Sequence, residues 1–324
     1  MLTSFINGTN GLERAGFRHD EELDPDALWI DLVDPGPAER GAVEKALSVH
    51  LPSRDQMEEI EVSSRFVRDG DALFLTASVV YMVDTPSAGL APVTFVLKQG
   101  RLVTLRYADP QPIRTFPAVA DRQGWMRESG ETMLVGMLDA IAARAADLLE
   151  KIGVEVDRVT SAVFSNEGGL QSQSARLEEA MQRIGRAGDL LAKSDESLHS
   201  VSRLVIFLQA AAPKGGGKEM RARLKVLSRD LISLTDHARA LSQRINFLLD
   251  ATLGVLNIQQ NGIIKLFSVV SVALMPPTLI ASIYGMNFRL MPELDWAWGY
   301  PYALGLMVVS AILPFVYFKR RGWL

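Results

Sequence analysis

Between Lys265 and Arg289 no charged residue occurs, within a stretch, Asn261 to Asn287, that reads NGIIKLFSVVSVALMPPTLIASIYGMN. About 20 predominantly apolar residues cross a bilayer core as a helix. A second apolar run, Trp296 to Phe318, follows after a short loop. Transmembrane helices are therefore expected at about 263–284 and 298–318. Two spans cannot enclose an aqueous pathway by themselves, so a transport role requires several copies of the chain.

Charge sets the expected orientation. Phe318 is followed by Lys319, Arg320 and Arg321, whereas the loop between the spans carries Arg289 against Glu293 and Asp295. Positive residues favour the cytoplasmic side. The loop then faces outward, both termini lie in the cytoplasm, and the protein is a multi-pass protein of the inner (plasma) membrane. The N-terminus, MLTSFINGTNGLERAGF, has no basic region followed by a long apolar core, so no signal peptide is expected. A net charge of −4 over 324 residues argues against a nucleic-acid partner. The absence of cysteine excludes disulfides and thiolate metal sites. His19, His50, His199 and His237 show no close metal-ligand spacing, which leaves hard, oxygen-liganded cations.

Residues 1–130 read as an α+β domain. Leu28 to Val33 is a short strand stopped by Asp34-Pro35-Gly36-Pro37, and Pro37 to His50 is a helix. Ala72 to Val83 is strand-rich, and Val93 to Tyr107 is a hairpin turning at Gln99-Gly100. Clustered strands without regular βα alternation favour the α+β class. Residues 131–262 read as a helical stalk and 263–324 as the membrane domain. One stalk helix is expected over Glu131–Phe164, broken near Asn166-Glu167-Gly168-Gly169, and a second over Leu170–Ala212. The run Pro213-Lys214-Gly215-Gly216-Gly217 resembles a phosphate loop only superficially. The first Gly of that motif is missing and Glu219 stands where Ser or Thr is needed, so a helix-hairpin turn is expected.

From Lys218 nothing stops a third helix before the membrane; continued to Tyr284 it is about 100 Å long. Met220, Leu224, Leu227, Leu231, Leu234, Ala238, Leu241, Ile245, Leu248, Thr252 and Val255 follow alternating steps of four and three, a coiled-coil-like seam. The alternative is a bundle packed on its own domain, with a break near Gly262. A second stripe runs Asp250, Gly254, Asn257, Asn261, Ile264, Ser268, Ser271, Met275, Thr278, Ser282. Eight of these ten are polar or Gly. Small residues also serve close helix packing, but packing requires no amide at Asn261, and a pore lining accounts for Asn257, Asn261 and Thr278. Pro276-Pro277 removes two amide donors and is expected to kink or loosen the helix.

The sequence resembles the CorA family of magnesium transport proteins. The resemblance rests on Tyr284-Gly285-Met286-Asn287, on Met291-Pro292-Glu293-Leu294, and on the ending Tyr317-Phe318-Lys319-Arg320-Arg321-Gly322-Trp323-Leu324. It extends through Asn257-Ile258-Gln259-Gln260-Asn261 and Ser268-Val269-Val270-Ser271-Val272, and more weakly through Met57 to Phe66. It implies a funnel-shaped homopentamer with long stalk helices and five copies of the first span around a pore. It also implies magnesium as substrate and regulatory ligand, passage of cobalt and nickel, and no organic cofactor. Gly285, Met286 and Asn287 would form the outer selectivity site. Glu58 and Glu59 match the family's acidic sensor segment. One stalk position of that sensor falls near Val226, which is not an acid, and Asp230 stands one turn on.

A ring of neutral amide oxygens suits a hydrated ion that sheds water reluctantly, where carboxylates would hold it too tightly to release. Glu293 and Asp295 would raise the local cation concentration or be ordinary solvated loop charges. A zinc transporter of the ZntB branch and a membrane-anchored scaffold or sensor without flux are the alternatives. No nucleophile–base pairing and no cofactor fingerprint points to an enzyme.

Overall fold

The computed structural model describes residues 1–8, 11–16, 23–59, 61, 65–83, 88–165, 170–211, 218–286, 291–292 and 295–323. The turns expected at 166–169 and 213–217 lie outside them. The chain folds as two compact units. Met1–Ala162 with Met181–Leu248 forms the first, and Val163–Ala180 with Leu249–Leu324 the second.

The first unit opens with seven strands, β1 (Leu2–Gly8), β2 (Gly11–Gly16), β3 (Ala27–Val33), β4 (Phe66–Asp69), β5 (Ala72–Tyr81), β6 (Gly89–Lys98) and β7 (Arg101–Arg106). They make one sheet in the order β2-β1-β3-β7-β6-β5-β4. β3 and β7 pair in parallel and the other neighbours are antiparallel. The α+β expectation holds. Gln99 and Gly100 both adopt positive φ, 52° and 73°, the geometry of the tight turn whose twist matches a hairpin. The β1–β2 hairpin and β4 are elements that the pattern of apolar residues did not signal.

Alternation in β3 sends Ile30 and Leu32 to one face. There they pack with Leu2, Val96, Val103 and Leu105 beneath Val43 and Leu47 of α1 (Pro37–Leu47) and Met57 of α2 (Arg54–Glu58). Trp29 goes to the other face, stacked on Phe5 at 4.2 Å and edge-on to Phe116 at 5.8 Å. Phe116 opens α4 (Phe116–Arg122), which follows the single turn α3 (Gln111–Arg114). Asp31, buried on that face, takes two bonds from Arg106 (Nε at 3.0 Å, Nη2 at 2.8 Å) and one from Thr104 at 2.7 Å. The planar guanidinium matches the carboxylate fork. This pair ties β3 to β7.

Helix α5 (Gly130–Phe164) starts against the β6–β7 turn. Gly130 N donates to Gly100 O at 2.7 Å, and a Cβ at Gly130 would lie 2.5 Å from the carbonyl carbon of Arg101. Glycine is required by that approach. α6 (Leu170–Ala211) covers β5 beyond the stretch Ala72–Leu75 that β4 pairs with. Ser78 N donates to Ser200 Oγ at 2.9 Å, and Ser197 Oγ donates to Ser78 O at 2.9 Å. A strand edge is thereby covered by hydroxyls of a helix.

α7 runs unbroken from Lys218 to Tyr284, through Gly262 and through Pro276-Pro277. Its seam is the buried face: in the first unit Leu224, Leu227, Leu231, Ala238, Leu241, Ile245 and Leu248 are all covered. Both sequence alternatives are thus realised in part, a continuous helix whose seam packs on its own domain. Small residues admit it. Gly153 of α5 faces Leu241, and Gly188 of α6 faces Ile245. Arg183 pairs with Glu155 at 2.6 Å between α6 and α5.

Among the described residues, α8 (Gly299–Arg320) and the C-terminal part of α7, both in the second unit, are the helices long and apolar enough to cross a membrane. Lys265 Nζ lies 5.9 Å from the ring of Trp323, which brings the end of α8 back to the start of the first span.

Candidate functional site

The first span divides into two faces. Val269 is buried, and Ala273, Pro276, Pro277, Ile280 and Tyr284 are half-buried. On α8 the covered positions are Gly299, Ala303, Met307, Ser310, Ala311, Pro314 and Phe318, again one helical stripe. These covered stripes are the faces on which the two spans can meet, and glycine, alanine and serine there permit close approach.

The polar stripe occupies the other side of α7. Asn257, Asn261, Ile264, Ser271, Met275, Thr278 and Ser282 are exposed, and Ser268 is half-buried. Counted at about 100° per residue, its centre is roughly half a turn from the covered face. Ile264 and Met275 are 61% and 68% exposed, although both are large and apolar. Ser268 Oγ donates to Ile264 O and Thr278 Oγ1 to Leu274 O, each at 2.8 Å. Their protons are taken by the helix itself. Each hydroxyl oxygen therefore faces outward as an acceptor, suited to a cation or its water.

At the end of the span Gly285 N donates to Ala281 O at 2.9 Å and Met286 N to Ile283 O at 3.2 Å. A Cβ at Gly285 would lie 3.2 Å from the Ala281 carbonyl oxygen, tighter than most side chains tolerate. The helix C-terminus carries partial negative charge, which favours a cation there. Asn287 and Glu293 lie outside the described residues, and Asp295 is exposed.

The acidic segment is in the first unit. Glu58 pairs with Arg54 at 3.3 Å on the surface. Glu59 follows, exposed, and its carbonyl accepts from Arg65 Nε at 2.7 Å. Arg65 Nη1 also donates to Ser78 Oγ at 3.2 Å, so the segment is tied to the β5 edge. Asp230 is exposed on α7. Its charge reaches Asp139 of α5, whose carboxyl is pushed up first by lost hydration and then by Asp230, with Arg223 opposing. Asp139 was not among the acids that the sequence singled out, and its signal is a lone acid after the buried run Met133–Leu138. Among the described residues no three acidic or histidine side chains are grouped to hold a metal ion.

Residues 24–320 match the CorA-like Mg2+ transporter protein family. The magnesium transport protein CorA of Salmonella typhimurium is 35% identical over 324 residues, covering all of both chains. The complete structure of the CorA magnesium transporter from Methanocaldococcus jannaschii superposes with a TM-score of 0.77 at 20% identity, over 100% of this chain and 99% of that one. The cytoplasmic domain of ZntB from Vibrio parahaemolyticus gives 0.58 at 12% identity, over 79% of this chain and 97% of that one, a likeness of fold.

Proposed function

The chain belongs to the CorA-like Mg2+ transporter family, and from that premise we propose that it acts as a homopentameric channel for magnesium uptake. The family is one of membrane transporters and not of enzymes. In this reading cobalt, and nickel with it, also passes. Residues 1–130 are the cytoplasmic domain, 131–262 the stalk, and 263–324 the membrane domain. Both termini face the cytoplasm, the membrane is the inner (plasma) membrane, and no organic cofactor takes part.

The polar stripe on α7 carries the reading. A pore-lining helix in a ring of copies needs one face for water and the opposite one for its own second span. Asn257, Asn261, Ser268, Ser271, Thr278 and Ser282 sit opposite the covered positions Val269 to Tyr284. A membrane anchor has no use for that arrangement, since polar groups facing lipid cost energy. At the outer mouth, Asn287 oxygens and Gly285 carbonyls from each copy receive the hydrated ion. Mg2+ demands octahedral oxygen coordination and keeps its water. Neutral acceptors hold that water without trapping the ion, while Met286 flanks them. Glu293 and Asp295 draw cations to the mouth.

An inside-negative potential supplies about 4.6 kcal/mol per 100 mV for a divalent ion, at about 2.3 for each charge. No ATP is needed, and closure by internal magnesium is the necessary counterpart. Glu58 and Glu59, with Asp230 of a neighbouring copy, would hold that regulatory ion. Ile264 and Met275, about three turns apart, form rings that close by dewetting.

The test is ion uptake into liposomes holding the purified protein, with membrane potential and pH gradient imposed separately. Magnesium uptake driven by potential alone is expected. Zinc uptake that requires a pH gradient would replace this reading with the zinc-transporter one, and flux of neither ion would leave a scaffold.

A further inference from the structure

We propose that the junction of Lys265 with the C-terminal end of α8 is a binding site for the phosphodiester headgroup of an anionic phospholipid. The inference rests on the reading that both spans cross a bilayer. It does not depend on conduction.

The site is built by the way α8 ends. Gly322 takes φ of 70°. Its N–H donates to Lys319 O, and Trp323 N–H donates to Phe318 O, both at 3.1 Å. This pair of bonds is the left-handed helix stop, and it folds the residue after the glycine back onto the last turn. Trp323 accordingly packs on Phe318, ring centres 5.1 Å apart, and Phe318 meets Tyr317 at 5.5 Å. The result is an aromatic platform with a cation at each end. Lys265 stands 5.9 Å over Trp323, and the Arg321 guanidinium 5.6 Å over Tyr317.

Lys265, Lys319, Arg320 and Arg321 are all exposed, and none forms an ion pair among the described residues. Asp250 lies fifteen positions earlier on α7, about 22 Å down the helix axis. Asp295 precedes α8 at its other end. Among the described residues, no carboxylate pairs with the positive charge here. Cations held over ring faces keep N–H donors turned outward. The ammonium at one end and the guanidinium fork at the other can each donate to a headgroup phosphate oxygen. The surrounding surface is apolar and exposed, with Leu313 at 64% and Phe315 at 48%. Acyl chains continue naturally from a headgroup bound at this level, and basic residues cytoplasmic to a span attract anionic lipid at about 1 kcal/mol each.

The experiment titrates the detergent-purified full chain with dioleoylphosphatidylglycerol or dioleoylphosphatidylcholine and counts bound lipid by native mass spectrometry. The wild type is expected to prefer phosphatidylglycerol, with millimolar inorganic phosphate failing to displace it. Lys265→Gln with Arg321→Gln should erase roughly 10- to 30-fold of that preference. Lys218→Gln with Lys225→Gln, the same charge loss on the first unit, should leave it intact. Lys265→Arg with Arg321→Lys should retain most of it. Equal preference in the Gln pair and the wild type would overturn the site. So would displacement by inorganic phosphate, which marks a free-anion site. Should the Gln pair not assemble, the wild type alone decides: no preference for phosphatidylglycerol refutes the proposal.

Discussion

One helix, α7, lives in two solvents, and its halves use side chains in opposite ways. In the first unit its apolar seam is buried, Leu224 and Leu231 at 0% exposure, and the remaining faces mix charged residues with exposed Val226, Ile232 and Phe247. In the second unit Leu274 and Met275 are 60% and 68% exposed, and the hydroxyls of Ser268, Ser271, Thr278 and Ser282 fall on one stripe. In water, apolar burial drives helix packing. In lipid there is no such drive between apolar helices, so shape and polar groups decide what meets what. A seam of large apolar residues therefore reports intrachain packing in one half and only solvent in the other.

The contrast is sharpest just past the second half. Asn287→Ala is expected to bring magnesium flux to background while the oligomer survives size exclusion, because each copy loses its ring oxygen at once. Near-normal flux would remove the selectivity assignment. Within the helix, Leu231→Ala should cost about 2–5 kcal/mol in denaturation of the first unit, since a cavity opens in a closed core. Leu274→Ala in the span should leave that transition unmoved; equal losses would erase the distinction between the halves.

Ser200→Ala probes how firmly the first unit is closed. It leaves Ser78 N–H buried without its acceptor, an expected loss of about 1–3 kcal/mol in the same melt. Ile264→Ser and Met275→Ser test the second half. Each should raise flux several-fold at high internal magnesium with the oligomer intact, whereas simple helix packing predicts a weakened oligomer and no leak.

The smallest effect is on pH. Burial raises the Asp109 carboxyl, but hydrogen bonds and charge from Arg106 and Arg114 outweigh it and hold it below its ordinary 3.8. A folded value below the unfolded one means the unfolded chain binds the proton better. The contribution is complete above about pH 3.8 and fades as pH falls through the lower folded value. Acid melts of Asp109→Asn should show a shallower decline below that point than the wild type; identical slopes would exclude the pair.

Much of this was legible along the chain. The seam and the polar stripe repeat at the helical period, the spans are apolar runs, and the Gln99-Gly100 turn is a local residue pair; such local signals survive without coordinates. The β1–β2 hairpin did not show, because Phe5 and Ile6 read as scattered among Ser4, Asn7 and Gly8. β4, with only Phe66 partly covered, is too short to carry a period.

The sequence by itself determined which segments are apolar enough for a bilayer, where α7 can begin, and which of its residues share a face. Those properties depend on residues a few positions apart. Tertiary structure alone decided that Ser197 and Ser200 cap Ser78 of β5, that the charge of Asp230 reaches Asp139, that Asp31 takes the Arg106 fork, and that Trp323 turns back beneath Lys265. Each of these joins residues tens to more than a hundred positions apart through one or two hydrogen bonds, a charge or a ring contact. No local period encodes such a partner; only the packed chain brings the two groups within reach.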